Sequence, residues 1–157
     1  MSSLTNWWTS RGRKRPLTKS DVWCRVEYRH QIVVQFLQDQ GYPQSWTEEM
    51  FSKALVVRVF DDLGTIGYFW GHWIDNGCMA IHACVDRLRH RDWLTKDVVL
   101  QLRQIAFWLG ADELFTSIRD DIPKAPKVRL LLRRMGFVED PGRFGEDHGF
   151  TLNLWEP

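Results

Sequence analysis

A chain of 157 residues with 44% hydrophobic and 26% charged side chains is long enough to bury one core without metals or disulfides, and no apolar run nears the roughly 18 residues of a membrane span. The formal net charge of +1 excludes a whole-domain electrostatic footprint for nucleic acid. Three cysteines, Cys24, Cys78 and Cys84, with no CxxC spacing, exclude a disulfide framework and read as free thiols.

The first sixteen residues, MSSLTNWWTSRGRKRP, lack the continuous apolar stretch of a secretory signal, so a cytoplasmic location is expected. Positive charge concentrates there in Arg11, Arg13, Lys14 and Arg15 beside the paired Trp7 and Trp8. Residues 1–16 are therefore read as a basic, Trp-containing arm, which is either a solvated tail or a docking element for a protein or nucleic acid. Residues 17–157 are expected to form a single domain. Nine tryptophans are many for this length, and most are expected to be core and interface mass.

Along the chain, Thr18 and Ser20 offer N-caps to a long amphipathic helix carrying Val22, Trp23, Val26, Val33, Phe36 and Leu37 as far as Gly41. Ser45 followed by Glu48 reads as a capping box for a short second helix with Trp46, Met50, Phe51 and Leu55. Val56–Phe60 and Thr65–Asp75 are β-branched and aromatic runs around a turn at 61–64, and Asn76-Gly77 then leads into a returning strand, Cys78–Val85. Asn-Gly favours a type I′ hairpin turn. Pairing Asp75 with Cys78 in that turn places Trp73 opposite Ala80, Gly71 opposite His82 and Phe69 opposite Cys84. Both hairpin faces are apolar, which calls for cover on two sides.

Thr95 caps a third helix with the stripe Val98, Val99, Leu102, Ile105, Ala106 and Leu109, ended by Gly110. Leu114–Ile118 follows as a strand parallel to 78–85, the two joined by the helix as a crossover. A fourth helix with Val128, Leu131, Leu132 and Met135 stops at Gly136, and strands at 137–138 and 150–155 close the chain.

This order of elements resembles the GNAT superfamily of acyl-CoA N-acyltransferases. The segment VRVFDDLGTIGYFWGHWIDNGCMAIHACVD is similar to the family's central hairpin, and KVRLLLRRMGF to its helix end of the form xLYxKxGF. The resemblance implies an α/β (α+β) fold: a mixed, mostly antiparallel sheet with helices on both faces and one parallel βαβ crossover. It also implies an acetyl-CoA site, in which a loop of the form R/Q-x-x-G-x-G/A holds the pyrophosphate. Aligned on Val98 and Val99, this chain has His90, Arg91, Asp92, Trp93, Leu94 and Thr95 there. The indole of Trp93 in place of glycine is expected to hinder the cofactor, and Asp92 to repel it. Arg87, Arg89, His90, Arg91 and Thr95 are the cofactor-binding candidates if a site persists, since arginine binds phosphate by forked hydrogen bonds.

The family's tyrosine, general acid to the leaving thiolate, corresponds here to Leu132, which donates no proton. His82 is the first catalytic candidate, as a base titrating near neutrality; otherwise it is a core histidine. Asp86 is the second, ahead of His72 on the other face, and Asp120 and Asp121 could hold an amine or simply be solvated. Cys78, His82 and Cys84 share a strand face, but Cys78 and His82 lie about 13 Å apart on an extended strand, which excludes a structural zinc site.

Two functions follow. Without a competent loop the chain is expected to be a non-enzymatic structural or interaction protein needing no cofactor, resembling the degenerate GNAT-like internal virion proteins of short-tailed phages and, if phage-encoded, residing in a virion. With an arginine-rich loop in place of the glycines it is an acetyl-CoA-dependent N-acetyltransferase. A third reading, nucleic-acid binding through the basic arm, demands strongly salt-dependent affinity.

Overall fold

A computed structural model describes residues 21–89 and 93–155. The arm with Trp7, Trp8, Arg11, Arg13, Lys14 and Arg15, the caps Thr18 and Ser20, and the loop residues His90, Arg91 and Asp92 lie outside the described residues.

Alternating apolar residues build one seven-stranded sheet from β1 (Trp23–Val26), β2 (Leu55–Asp61), β3 (Gly64–Asp75), β4 (Cys78–Val85), β5 (Glu113–Ser117), β6 (Val138–Glu139) and β7 (Gly149–Asn153), in the order β1-β2-β3-β4-β5-β7-β6. Every neighbouring pair is antiparallel except β4 and β5, which run parallel. Three helices, α1 (His30–Asp39), α2 (Lys96–Trp108) and α3 (Ala125–Arg134), cover the sheet. The period-two alternation divides the apolar residues between two cores, as the doubly apolar hairpin requires. Val57, Val59, Ile66, Phe69, Met79 and Ile81 pack with Val98, Val99, Leu102 and Ala106 of α2 and with Leu132 of α3. On the opposite face Val56, Tyr68, Trp70 and Cys84 pack with Val33 and Leu37 of α1 and with Phe51.

Several expectations are corrected. The helix predicted from residue 18 to 41 is a strand followed by a helix. Val22, Trp23 and Val26 suit either periodicity, and pairing with β2, Cys24 opposite Val59, selects the strand. Glu27 extends this pairing, its N–H donating to the Val56 carbonyl at 2.8 Å. Its carboxylate, 7% exposed, accepts from the Arg29 backbone and guanidinium at 3.2 Å. The predicted second helix is one 3-10 turn, Glu48–Phe51, preceded by Thr47 with no side-chain cap, and Leu55 already belongs to β2.

The hairpin register also shifts. Trp73 pairs with Met79, and Asp75 with Cys78, with a bulge between, so His82 lies opposite Trp70 and Cys84 opposite Tyr68. Gly77 takes φ +76° while Asn76 keeps a negative φ, so the turn is not type I′ and the extra residue is absorbed as a bulge. The described tryptophans divide between core and surface, Trp46 and Trp93 packing against the two cores. Trp23, Trp73, Trp108 and Trp155 are all about half exposed or more, and only Trp70 is buried. Trp155 meets its one hydrogen-bonding need at the surface, its indole N–H donating to Asp112 at 2.8 Å. In α2, Leu109 is exposed and falls outside the buried stripe.

The sheet leaves no room at Gly67, where an added Cβ would stand 2.5 Å from the Cys84 carbonyl oxygen. Backbone cannot yield as a side chain can. Gly67→Ala is expected to destabilise the fold by about 1–3 kcal/mol in urea unfolding; an unchanged midpoint would show that β3 and β4 are not this close.

Candidate active site between diverging strands

β4 and β5 pair over only three positions, Cys78↔Glu113, Met79↔Leu114 and Ala80↔Phe115. β4 then continues through Ile81–Val85 with no β5 partner, while β5 keeps its antiparallel partner β7 through Thr116 and Ser117. The strands diverge, and a cavity of about 510 Å³ opens where their ladder stops. Its walls come from both faces of the sheet: Tyr42, Trp46, Trp70 and His82 on the α1 side, and Phe69, Ile81, Val99, Leu102 and Leu132 on the other.

The two sides of this wedge are separately anchored. Arg129 of α3 donates to the Ile118 carbonyl from Nε at 3.0 Å and from Nη2 at 2.6 Å, fixing α3 to the end of β5. Thr95 caps α2, its hydroxyl oxygen accepting from the Val98 N–H at 3.2 Å. Trp93 lies with its ring tilted against Phe69, centroids 5.1 Å apart, packed on the larger core and lining the cavity. Leu132 is buried in the same wall, 7% exposed.

His82 lines the cavity while remaining exposed to solvent. Its ring stacks on Trp70 at 5.8 Å, and the His72 ring lies 5.9 Å away. Partial burial, and secondarily the charge of His72, hold its pKa below the ordinary histidine value, so the imidazole is neutral and able to accept a proton at pH 7. Beside it, Tyr42 lies near the Cys84 thiol, and burial pushes the phenol up to about 12. That phenol stays protonated at neutral pH and is a proton donor within the lining. The thiols are poor nucleophiles: burial raises Cys24 to about 12 and both Cys78 and Cys84 to about 11.

The remaining candidates are dispersed. Asp86 shapes the turn after β4, its Oδ1 accepting from the Leu88 N–H at 2.9 Å and its own N–H donating to the Ile66 carbonyl at 2.7 Å, and it does not line the cavity. Arg89 is ion-paired with Asp61. Arg87 is exposed, its backbone N–H donating to Gln40 Oε1 at 3.2 Å. Asp120 pairs with Arg129 at 2.7 Å and Asp121 with Arg119 at 3.5 Å. Among the described residues no three His, Cys, Asp or Glu side chains converge on a metal position, and no helix is long and apolar enough to cross a membrane. Sequence reading missed Tyr42, Trp46 and Trp70 as site residues; the turn at Pro43 was the one local sign that Tyr42 and Trp46 fold back over the sheet.

No protein-family model and no curated protein sequence matches this chain. Solved structures do. The dodecameric spermidine N-acetyltransferase from Vibrio cholerae is similar with a TM-score of 0.64 and 13% identity, over 85% of this chain and 94% of that one. A protein from Desulfovibrio desulfuricans assigned to the GNAT acetyltransferases gives 0.62 at 14% identity, over 85% and 99%. One assigned as a phosphinothricin N-acetyltransferase gives 0.63 at 16% identity, over 87% and 100%. Identities this low speak to architecture alone. With its mostly antiparallel sheet, crossover helix and wedge at the one parallel pair, the chain has the GNAT fold, that of the acyl-CoA N-acyltransferase superfamily.

Proposed function

We propose that this protein is an acyl-CoA-dependent N-acyltransferase working in the wedge between β4 and β5. The observation that carries this reading is the divergence itself: a sheet kept only as a scaffold gains stability from continued pairing, yet here the ladder stops at Ala80 and a cavity takes its place. The fit to a thioester cosubstrate rests on that edge. Ile81–Val85 carries main-chain donors and acceptors beside apolar walls, a combination suited to a slender amide-bearing chain such as pantetheine. Trp93 lies back against Phe69 as part of the wall. Arg87 and Thr95 flank the residues at which the family's loop meets phosphate, and His90 and Arg91 belong to the same stretch.

Bound there, an acyl thioester supplies an activated acyl carbon and a thiolate leaving group. His82 accepts the proton released by the acceptor amine as the N–C bond forms. Tyr42 is the phenol on hand in the lining, where Leu132 replaces the family's tyrosine.

A second reading, a non-enzymatic interaction protein of a virion or other assembly, is favoured by Leu132 and by the absence of glycine from residues 90–95; the arm with Trp7 and Trp8 is then the docking element. A thermal shift with acetyl-CoA separates the two. Ligand at 100 times its Kd stabilises by about 2.7 kcal/mol, a Tm rise of roughly 5–10 °C for a chain of this size. That rise is expected. No shift at millimolar acetyl-CoA favours the interaction protein.

A further inference from the structure

We propose that the α1 side of the cavity selects an acceptor carrying one amine on a flat aromatic or apolar group, and discriminates against polyamines. This inference rests on the acyltransferase reading and narrows its substrate class. The α1-side wall is a run of rings: Tyr42 to Trp46 at 5.0 Å, Trp46 to Trp70 at 6.4 Å, and Trp70 to His82 at 5.8 Å. Trp70 is held from behind by Phe51, edge to face at 5.8 Å, so the wall is rigid where it is deepest. His82 is the last ring of the run to line the cavity and the one lining ring with a basic nitrogen; His72, 5.9 Å beyond it, is not part of the lining.

What the wall lacks is equally specific. No carboxylate lines the cavity among the described residues. The acids in neighbouring loops, Asp86, Asp120 and Asp121, are held by the Leu88 N–H, Arg129 and Arg119. A polyamine brings several ammonium groups, and each loses hydration in an apolar cavity unless a carboxylate replaces the water. A ring-borne amine brings one nitrogen, directed at His82, and a face that packs against Trp46 and Trp70 with aromatic pair energies beyond its burial. A single cation approaching the same faces is also attracted by the ring quadrupoles. The chain therefore shares an architecture with a spermidine N-acetyltransferase while presenting walls of different chemistry.

The test is calorimetric titration of the full chain with 2-phenylethylamine and with spermidine, each with and without saturating CoA. Saturable phenylethylamine binding is expected, weakened about tenfold in Trp46→Ala and recovered in Trp46→Phe, with no saturable spermidine binding. Trp46 is partly buried against the smaller core, and circular dichroism checks that its variants fold. Tighter binding of spermidine than of phenylethylamine, or an unchanged affinity in folded Trp46→Ala, overturns the inference. Acetyl-CoA binding without preference between the amines sinks the acceptor class and leaves the acyltransferase reading standing. Phenylethylamine binding by a chain that ignores acetyl-CoA overturns the acyltransferase reading, and the acceptor role with it, and leaves an amine-binding wall.

Discussion

Replacement of His82 by glutamine is expected to lower kcat for acyl transfer by about 10²–10⁴-fold, the range over which positioned general bases act. The fold should tolerate it, because the side chain is exposed and stacks on Trp70 without filling the core. The pH profile distinguishes a base from a packing residue. Partial burial and the neighbouring His72 lower the His82 pKa, so the neutral imidazole persists into more acidic solution. In the wild type, kcat/KM should rise with pH through a limb lying below the ordinary histidine value of about 6.5 and stay level above it. Removing one of the two causes, as in His72→Gln, should move that limb upward in pH, while His82→Gln should abolish it. A residual activity of His82→Gln that keeps the wild-type limb would assign the proton to another group.

Closing the wedge should have an effect of similar size on binding. Ala83 lies on β4 past the last rung shared with β5, pairs with Phe69 of β3, and lines the cavity. Ala83→Phe directs a ring into open volume, so it avoids most of the roughly 1–3 kcal/mol cost of overpacking a filled core. The acetyl-CoA-induced Tm rise is expected to disappear while the ligand-free Tm holds within a few degrees. If the variant melts normally and still shows the full rise, the ligand does not enter between β4 and β5.

Much of this architecture was legible because local signals and long-range demands agreed. The hairpin runs at 65–75 and 78–85 read as apolar on both faces, and the structure covers both. Thr95 sits where a helix needs a hydroxyl, and it caps α2. Failure came where two periodicities coincide. Val22, Trp23 and Val26 satisfy a helix stripe as well as a short strand, and only the partner strand, more than thirty residues later, decides. Asn76-Gly77 correctly marked a turn, yet the turn type was decided by the accommodation of Ile74 as a bulge. One residue of register moved His82 from a position opposite Gly71 to one opposite Trp70, and with it the chemistry of the site. The ring run was invisible for a different reason: Tyr42 and Trp46 reach Cys84 and Trp70 across long stretches of chain, a proximity no spacing rule encodes.

The three-position junction between β4 and β5 divides the sheet into two antiparallel blocks, one of four strands and one of three. Spreading the blocks would break few hydrogen bonds between strands, and what opposes it is the core the two blocks share, where Met79 and Ile81 belong to one buried cluster with Leu114, Phe150 and Leu152. The joint is held by side chains more than by its ladder, and a molecule lodged in the gap and touching both plates would stiffen the whole sheet as it bound.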